Sequence, residues 1–240
     1  MSFQESFSLY AKKCIPWKEY PENLYQAIEK APQEAADYAL SYLDQALQSP
    51  DVAFAEDEEY LEIMCALAIV TGLKDKRAFP LVLRFTEKDM VYNLLGDYVT
   101  ELYADMIFRT FYGDVDALVR TIAAEHTDDF AAEAILLGMG VMTRKGYLSM
   151  EDFDDFIAKI FAEKIENDVI MTGVVSPILE AGAVHLAYRI DEVEKLGLLD
   201  TIVCGDAKEC KEYLTKNDFL RNMVEGDLRE IGRASCRERV

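Results

Sequence analysis

The sequence has few basic residues for its number of acidic ones, and this shortage excludes several classes of function. Lysine and arginine total 25 and aspartate and glutamate total 45, so the formal net charge of the 240 residues is −20 at pH 7. Such a surface repels phosphate, because nucleic-acid affinity depends on lysine and arginine that neutralise phosphates. An anionic membrane surface is disfavoured by the same repulsion. We therefore expect partners that are neither nucleic acids nor membranes.

Long apolar runs are also missing. The longest, Ile63 to Val70, is far shorter than the roughly 20 apolar residues that a membrane-spanning helix needs. Residues Met1 to Tyr10 do not contain a basic region followed by an apolar run, so they do not resemble a secretory signal. Apolar residues nevertheless make up 51% of the chain, which is enough to bury a core. These features predict a folded, cytoplasmic protein.

The cysteines do not form a recognisable disulfide or zinc framework. Their number is odd and they are scattered, which fits reduced thiols in a cytoplasm. Cys204 and Cys210 have five residues between them and no neighbouring histidine, unlike the close spacing of structural zinc ligands. We therefore predict no metal and no cofactor, and we expect these two side chains to act as small, half-buried apolar groups. The five cysteines are Cys14, Cys65, Cys204, Cys210 and Cys236.

Familiar catalytic motifs are absent from the sequence. There is no Gly-x-Ser-x-Gly elbow, no Walker loop and no dinucleotide-binding fingerprint. His126 lies between predicted helices and His185 lies in an apolar stretch. Neither has a carboxylate at metal-ligand spacing in the sequence around it, so both are expected to be structural. An enzyme is therefore the less favoured class of function.

From Glu56 onward, apolar residues recur three and four positions apart and turn residues interrupt them at regular intervals. This is the pattern of amphipathic helices. The clearest example runs from Val99 to Ile107, followed by a Gly113-Asp114 turn in which the aspartate begins the next helix. Further helices are predicted from Asp128 to Gly146 and from Ser149 onward.

The predicted helices recur as pairs. The starts of the second helices align at offsets of roughly 35 to 40 residues, within the range of two-helix solenoid repeats. Neither helix of such a pair can bury its apolar face alone, so consecutive pairs are expected to stack. Asp75–Leu81 resembles the start of the second helix in HEAT repeats, where a proline is tolerated because its missing N–H has no partner in the first turn. The aligned segments begin at Ala78, Val115, Met150 and Ile190.

These patterns predict an all-α protein, an α-solenoid of stacked antiparallel helix pairs with an N-terminal helical cap. Prolines divide the first part of the chain into short helices, and we expect Trp17 and Tyr20 to pack over the first pair. The alternative is that these two aromatic side chains line a ligand groove. Pro177 is expected to kink the helix between Val169 and Val184. The predicted parts are the cap (1–55), the HEAT-like repeats (56–200), a truncated C-terminal helical segment (201–231) and a tail (232–240).

The tail, GRASCRERV, differs from the sequence that precedes it. It has no apolar periodicity, and it contains three arginines and one glutamate. It resembles translated vector or read-through sequence. We therefore expect the natural chain to continue beyond about Glu230, and the alternative is a genuine basic C-terminal arm.

One row of polar residues is a candidate binding site. Asp97, Glu101, Asp105 and Arg109 lie four residues apart, on one side of a predicted helix, and Thr100 lies beside them. Like charges at this spacing oppose helix formation by a few tenths of a kcal/mol per pair, so the row is suited to a cation or a basic partner. Its ordinary explanation is a solvated face on which the arginine relieves the repulsion. Three carboxylates can also bind a hard cation, although the sequence contains no calcium-binding loop.

The stretch from Lys74 to Glu101 reads KDKRAFPLVLRFTEKDMVYNLLGDYVTE. It resembles a bacterial family known as domain of unknown function 1186, and the similarity extends from about Tyr25 to about Leu214. The resemblance implies a HEAT-like helical stack of unassigned activity and brings no catalytic residues. Some relatives have a short Cys/His zinc-binding tail, similar to the end of the SecA translocase, which this sequence does not match. The segments that carry the resemblance are Arg77–Leu81, Leu94–Asp97, Thr100-Glu101 and Gly113-Asp114.

Together these observations lead to two functional hypotheses and a third, structural one. The first is an interaction scaffold that binds a protein or peptide partner, expected to be basic, through the acidic surface formed by Asp97, Thr100, Glu101, Asp105 and Arg109. The alternative is an enzyme, or a sensor of small molecules or cations, that uses the carboxylates of the same surface. The third is an auxiliary domain of a longer protein.

Overall fold

The computed structural model describes residues 2–11, 22–48, 59–95 and 98–216 of the chain. Within these ranges the protein is mostly helical and contains no β-strand, so the predicted all-α class is confirmed. An isolated antiparallel bridge joins Glu87 to Thr127. None of the helices in the described ranges has the length and apolar character needed to cross a membrane.

The helices are short and follow one another closely. In the first half of the chain they are α1 (Phe3–Tyr10), α2 (Glu22–Lys30), α3 (Pro32–Gln48), α4 (Glu59–Gly72), α5 (Phe79–Arg84), α6 (Lys88–Met90), α7 (Tyr98–Glu101) and α8 (Tyr103–Thr110). They continue as α9 (Val115–Ala123), α10 (Asp129–Arg144), α11 (Met150–Ala162), α12 (Asp168–Gly173), α13 (Val175–Ala181), α14 (Ala187–Lys195), α15 (Thr201–Cys204) and α16 (Ala207–Lys216). Turns of 3-10 helix, Lys76–Ala78 and Val184–Leu186, precede α5 and α14, and a π-helical turn, Val91–Leu95, follows α6.

Polar side chains begin several helices, as the sequence predicted. A carboxylate oxygen of Asp114 accepts a hydrogen bond of 2.9 Å from the N–H of Ala117 at the start of α9. Asp128 and Ser149 begin α10 and α11 in the same way. Each side-chain oxygen satisfies an N–H that has no partner inside the helix, which is why these residue types mark helix starts in a sequence.

Pro177 interrupts its helix, which confirms the predicted kink. α12 ends at Gly173 and α13 begins at Val175. Proline has no N–H to donate to the carbonyl four residues earlier, which here belongs to Gly173, and its ring clashes with that carbonyl. The chain therefore forms two consecutive short helices instead of one long helix.

Helices pack against sequence neighbours at the N-terminal end and against more distant helices further along the chain. α3 contacts α1, α2 and α4 at the N-terminal end. Further along, α4 packs against α8, α8 against α10, α10 against α13, and α13 against α16. Beside this row, α9 packs against α11. The later contacts thus join helices that are separated in the chain by one or more other helices.

The core is a connected cluster of apolar side chains that extends from Phe3 in α1 to Leu214 in α16. Tyr103 is its largest fully buried member. Its hydroxyl donates a hydrogen bond of 2.5 Å to the carbonyl of Val82, so its polar atom is satisfied inside the core. Burial also raises the pKa of Tyr103 well above its ordinary value, because the charged form is poorly solvated there.

Two glycines of α10 allow its neighbours to approach closely. A β-carbon on Gly140 would lie 2.6 Å from the Cα of Pro177 in α13. On the side of α8, a β-carbon on Gly138 would lie 1.6 Å from the ring of Phe108. α10 is therefore held between two helices at distances that larger residues would not permit.

Several predictions concern residues outside the described ranges. They include the packing of Trp17 and Tyr20, the thiols of Cys14 and Cys236, and the tail of residues 232–240. Cys65, Cys204 and Cys210 lie within the described ranges and are not in disulfide bonds, and Cys65 and Cys210 are buried.

Candidate functional site

The predicted acidic row does not lie on one uninterrupted helix. α7 ends at Glu101 and α8 begins at Tyr103, and between them Leu102 has φ −124° and ψ −21°. Asp97 lies outside the described residues. Thr100 and Glu101 are exposed at the end of α7, whereas the two remaining members of the row lie on α8.

Asp105 and Arg109, the members of the row on α8, form an ion pair. The Arg109 Nε lies 2.5 Å from an oxygen of Asp105, and the two side chains are only 16% and 17% exposed. The Asp105 charge is therefore compensated within its own helix. Glu101 remains as the exposed carboxylate among the described members of the row.

Lys76 places a second positive charge close to this row. Its ammonium donates hydrogen bonds of 3.0 Å and 2.7 Å to the carbonyls of Arg109 and Phe111. The last carbonyls of a helix have no partners inside the helix, so a lysine at the end of α8 satisfies them and interacts favourably with the helix dipole. The surface of α7 and α8 is therefore less acidic than the sequence row alone indicated.

The segment with the strongest family resemblance connects helices through ion pairs and buried side chains. Arg77 bonds Asp75 at 2.6 Å and reaches Asp37 of α3 at 2.7 Å. Hydrogen bonds from Arg77 hold the pKa of the Asp75 carboxyl below its ordinary value. Ala78 and Phe79 are completely buried. These residues hold the start of α5 against α3.

Ion pairs and a histidine–carboxylate hydrogen bond that the sequence did not predict connect the later helices. Lys159 of α11 lies 2.6 Å from Asp116 of α9, although 43 residues separate them. His185 bonds Asp154 of α11 at 2.7 Å, across 31 residues. Lys211 of α16 lies 2.5 Å from Asp191 of α14. The sequence did contain one signal, because Asp116, Asp154 and Asp191 are spaced 38 and 37 residues apart.

A shallow depression lies between α9 and α11. Its volume is about 240 Å³, below the roughly 300 to 1,000 Å³ of typical small-molecule sites. The ion pair between Lys159 and Asp116 crosses it, and its other lining residues are Val119, Arg120, Ala162 and Glu163.

Arg144 and Glu180 form a buried ion pair between α10 and α13. Their side chains are 19% and 4% exposed, and Nη2 of the arginine lies 3.1 Å from Oε1 of the glutamate. Burial raises the pKa of Glu180, and the positive charge of Arg144 partly opposes this shift. The pair joins two helices whose backbones already approach closely.

The two neighbouring thiols near the C-terminal helix are poor nucleophiles. The Cys210 thiol donates to the carbonyl of Cys204 at 3.1 Å. Burial raises the pKa of Cys210 to about 12 and also raises that of Cys204. Thiolates are the reactive and metal-binding form, so these side chains fit the predicted apolar role. Among the described residues, no group of three or more His, Cys, Asp or Glu is placed to hold a metal ion.

Comparison with known proteins identifies a family to which the sequence is similar. A family model described as "Protein of unknown function (DUF1186)" matches residues 9–227. No curated protein and no solved structure matches the chain.

Proposed function

Because the chain belongs to the DUF1186 family, whose function is unknown, we propose a function from its structure: a HEAT-like scaffold that binds a basic protein or peptide partner. The proposal has two parts, a stack of repeated helix pairs and an acidic surface. The regular spacing of helix starts along the chain is the observation that carries it. Stacked repeats present long surfaces on which partners bind, without a closed pocket.

The spacing of the second helices supports the stack. Successive starts are 36, 35 and 37 residues apart, close to the period of two-helix repeats. The fourth of these helices starts at Ala187, three residues before the position aligned from the sequence, because a 3-10 turn leads into it. The second helices α5, α9, α11 and α14 begin at Phe79, Val115, Met150 and Ala187.

The turns inside the proposed pairs share a backbone conformation. Each contains one residue with positive φ, at +57° for Lys74, +104° for Gly113, +74° for Gly146 and +65° for Gly182. Glycine adopts this region without steric cost, which explains its presence in three of the four turns. The same device at each repeat supports a common origin for the four turns.

Side-chain contacts between the proposed pairs join residues that are about one repeat length apart in the sequence. Arg77 reaches Asp37 across 40 residues. Lys88 donates to the carbonyl of Glu125 across 37 residues, and the amide of Asn167 donates to Asp129 across 38. Contacts at one repeat length are those that stacked neighbours make.

Charge supports a basic partner. The net charge of −20 is large for 240 residues, and several cations, including Arg77 and Lys159, are already paired with carboxylates of the chain. An enzyme that uses Asp97, Glu101 and Asp105 is less well supported, because Asp105 is held by Arg109. A scaffold needs only exposed charge, such as that of Glu101.

Capture of partners by the immobilised protein tests this proposal. We expect a basic partner to be retained at low ionic strength and released near 0.5 M salt, roughly the range where exposed charges are screened. Retention that salt does not weaken would contradict the electrostatic part of the proposal.

A variant in which two carboxylates become neutral amides distinguishes a scaffold from an enzyme. The double substitution Asp97→Asn and Glu101→Gln is expected to weaken partner affinity. The matched control, Glu29→Gln with Glu34→Gln, removes two exposed charges elsewhere, from α2 and α3. An equal loss of partner affinity in the two variants would show that the interaction depends on net charge and not on this surface. Loss of a catalytic turnover with unchanged binding would instead support the enzyme alternative.

A further inference from the structure

Large apolar side chains are exposed at the same position of three helix starts. Phe130, Val169 and Ile202 are each the second residue of their helix, α10, α12 and α15, and are 57%, 37% and 95% exposed. Val203, beside Ile202, is 69% exposed. Single exposed apolar residues are common on protein surfaces. Recurrence at one position of successive elements is the pattern of an interaction surface.

Hydrogen bonds join the start of α12 to the start of α10, and the last turn of α12 to the residues that precede α15. The amide of Asn167, which precedes α12, donates 2.9 Å to the carboxylate of Asp129 in the first turn of α10. The N–H of Asp200, which precedes α15, donates 2.8 Å to the hydroxyl of Thr172 in α12. That hydroxyl donates in turn to the carbonyl of Leu198 at 2.9 Å. The exposed side chains therefore follow one edge of the protein, and we call Phe130, Val169, Ile202 and Val203 the apolar edge.

Acidic residues surround the apolar edge. The segments 124–130, 163–169 and 196–203 contain seven aspartates and glutamates and one lysine. Lys88, the first residue of α6, is also near, but its ammonium donates a hydrogen bond to the carbonyl of Glu125. Two of the acidic residues cap their own helices, and the side chains that point to solvent include those of Glu125, Glu163, Glu166 and Asp168.

We infer that the apolar edge binds an amphipathic, cationic helical segment of the partner. Its apolar side chains would contact Phe130, Val169 and Ile202, and its lysines or arginines would lie beside the exposed carboxylates. This inference rests on the proposed scaffold function and adds to it the surface used and the chemistry of the segment bound. A second copy of this chain is a poorer occupant, because it would bring another net charge of −20 to the same place.

The expected spacing of Phe130, Val169 and Ile202 fits a helix that lies along the apolar edge. Packed helices lie roughly 8 to 10 Å apart, and α10 packs against α12. We expect a similar spacing from Phe130 to Val169 and from Val169 to Ile202. A helix rises about 1.5 Å per residue, which places one apolar side chain at roughly every sixth or seventh position. The edge from α10 to α15 therefore accommodates a segment of about four helical turns.

Two labelled peptides of about 18 residues test the inference by fluorescence anisotropy at low ionic strength. One has leucines in heptad spacing and lysines elsewhere, and the other replaces each leucine with serine at the same net charge. We expect the leucine peptide to bind about tenfold more tightly than the serine peptide, because only it buries apolar surface on the edge.

Matched variants locate the binding surface. Phe130→Ser with Ile202→Ser is expected to remove the tenfold advantage of the leucine peptide and to leave the serine peptide unaffected. The control, Tyr147→Ser with Val184→Ser, changes two exposed side chains in turns inside helix pairs and is expected to have no effect. All four positions are exposed, and unchanged melting temperatures would show that both variants fold.

Each other outcome contradicts a different claim. Equal binding of the two peptides, or equal weakening by the two variants, overturns the apolar edge as a docking surface and leaves the charged scaffold standing. Absence of binding of either peptide to the wild-type protein overturns the proposed function and this inference with it. Self-association of the wild type that Phe130→Ser with Ile202→Ser abolishes would identify the edge as a contact between copies, and would also overturn the inference.

Discussion

Gly146 adopts a φ of +74° in the turn between α10 and α11. A β-carbon there would have no heavy atom within 4 Å, so the cost of a side chain comes from the backbone conformation alone. We predict that Gly146→Ala lowers the free energy of unfolding by about 1 kcal/mol. Urea unfolding of the variant and the wild type measures this difference.

Gly72 provides the control. It is the last residue of α4, it also has open space around it, and its φ is not positive. Gly72→Ala is therefore expected to be neutral or to stabilise the protein by up to about 1 kcal/mol, because alanine has the better helix propensity. Equal destabilisation by the two substitutions would show that the left-handed turn has no special role.

Asp75 makes the stability depend on pH. Hydrogen bonds from Arg77 lower the pKa of its carboxyl in the folded protein. A carboxyl with a lowered folded pKa stabilises the fold above its unfolded pKa, and this contribution is lost as pH falls through the folded pKa. We expect Asp75→Asn to lower the free energy of unfolding near neutral pH, by a difference that shrinks below about pH 4.

Urea unfolding at several pH values checks this expectation. Asp44→Asn is a suitable control, because Asp44 is exposed on α3 and bonds Gln48 instead of an arginine. Its effect is expected to be smaller at neutral pH. A difference between Asp75→Asn and the wild type that stayed constant down to pH 3, about one unit below the ordinary aspartate pKa, would mean that the carboxylate charge does not contribute.

Among the elements, α10 has two glycines at which an added side chain would meet a neighbouring helix. A β-carbon at Gly140 meets backbone atoms of Pro177, which cannot rotate away. We therefore predict that Gly140→Ala lowers the free energy of unfolding by about 1 to 3 kcal/mol, the usual cost of overpacking. Thermal or urea unfolding measures it.

The comparison with Gly138 shows whether backbone contact is the cause. At Gly138 the obstructing atoms belong to the ring of Phe108, a side chain. Phe108→Ala in a Gly138→Ala background is expected to recover part of the lost stability, since it removes the clash. No side-chain change at Pro177 should rescue Gly140→Ala in this way, and such a rescue would refute the proposed backbone contact.

Helix starts and the proline break could be predicted from the sequence because they depend on local interactions. Asp114, Asp128 and Ser149 act on N–H groups two or three residues away. Pro177 acts on the carbonyl four residues before it. The break at Leu102 had no such signal, because leucine is an ordinary helix former.

The candidate site was predictable only in part, for the same reason. The four-residue spacing correctly predicted that Asp105 and Arg109 lie next to each other. The lysine that approaches the end of α8, Lys76, lies 33 residues before Arg109, so sequence spacing gave no indication of it. The apolar edge was also missed, because Phe130 and Val169 lie outside the apolar faces that periodicity identifies and only the fold brings α10 into contact with α12.

For the whole molecule, charge and architecture lead to the same functional expectation. A chain of net charge −20 uses several of its cations in pairs between helices. Its acidic residues at helix starts remain open to solvent around an apolar edge. A stack of helix pairs displays such groups in a row, which a closed bundle would not do. The helix-pair stack is therefore the claim on which the proposed function depends.

Distances between spin labels test that stack most directly. Labels at Lys74, Tyr147 and Val184, which are exposed turn positions, can be introduced into a variant without the native cysteines and measured in pairs. Stacked pairs add roughly 8 to 10 Å per repeat, so the distance from Lys74 to Val184 should exceed that from Lys74 to Tyr147 by about this amount. A Lys74 to Val184 distance equal to or shorter than the Lys74 to Tyr147 distance would indicate a closed bundle and would contradict the proposed stack.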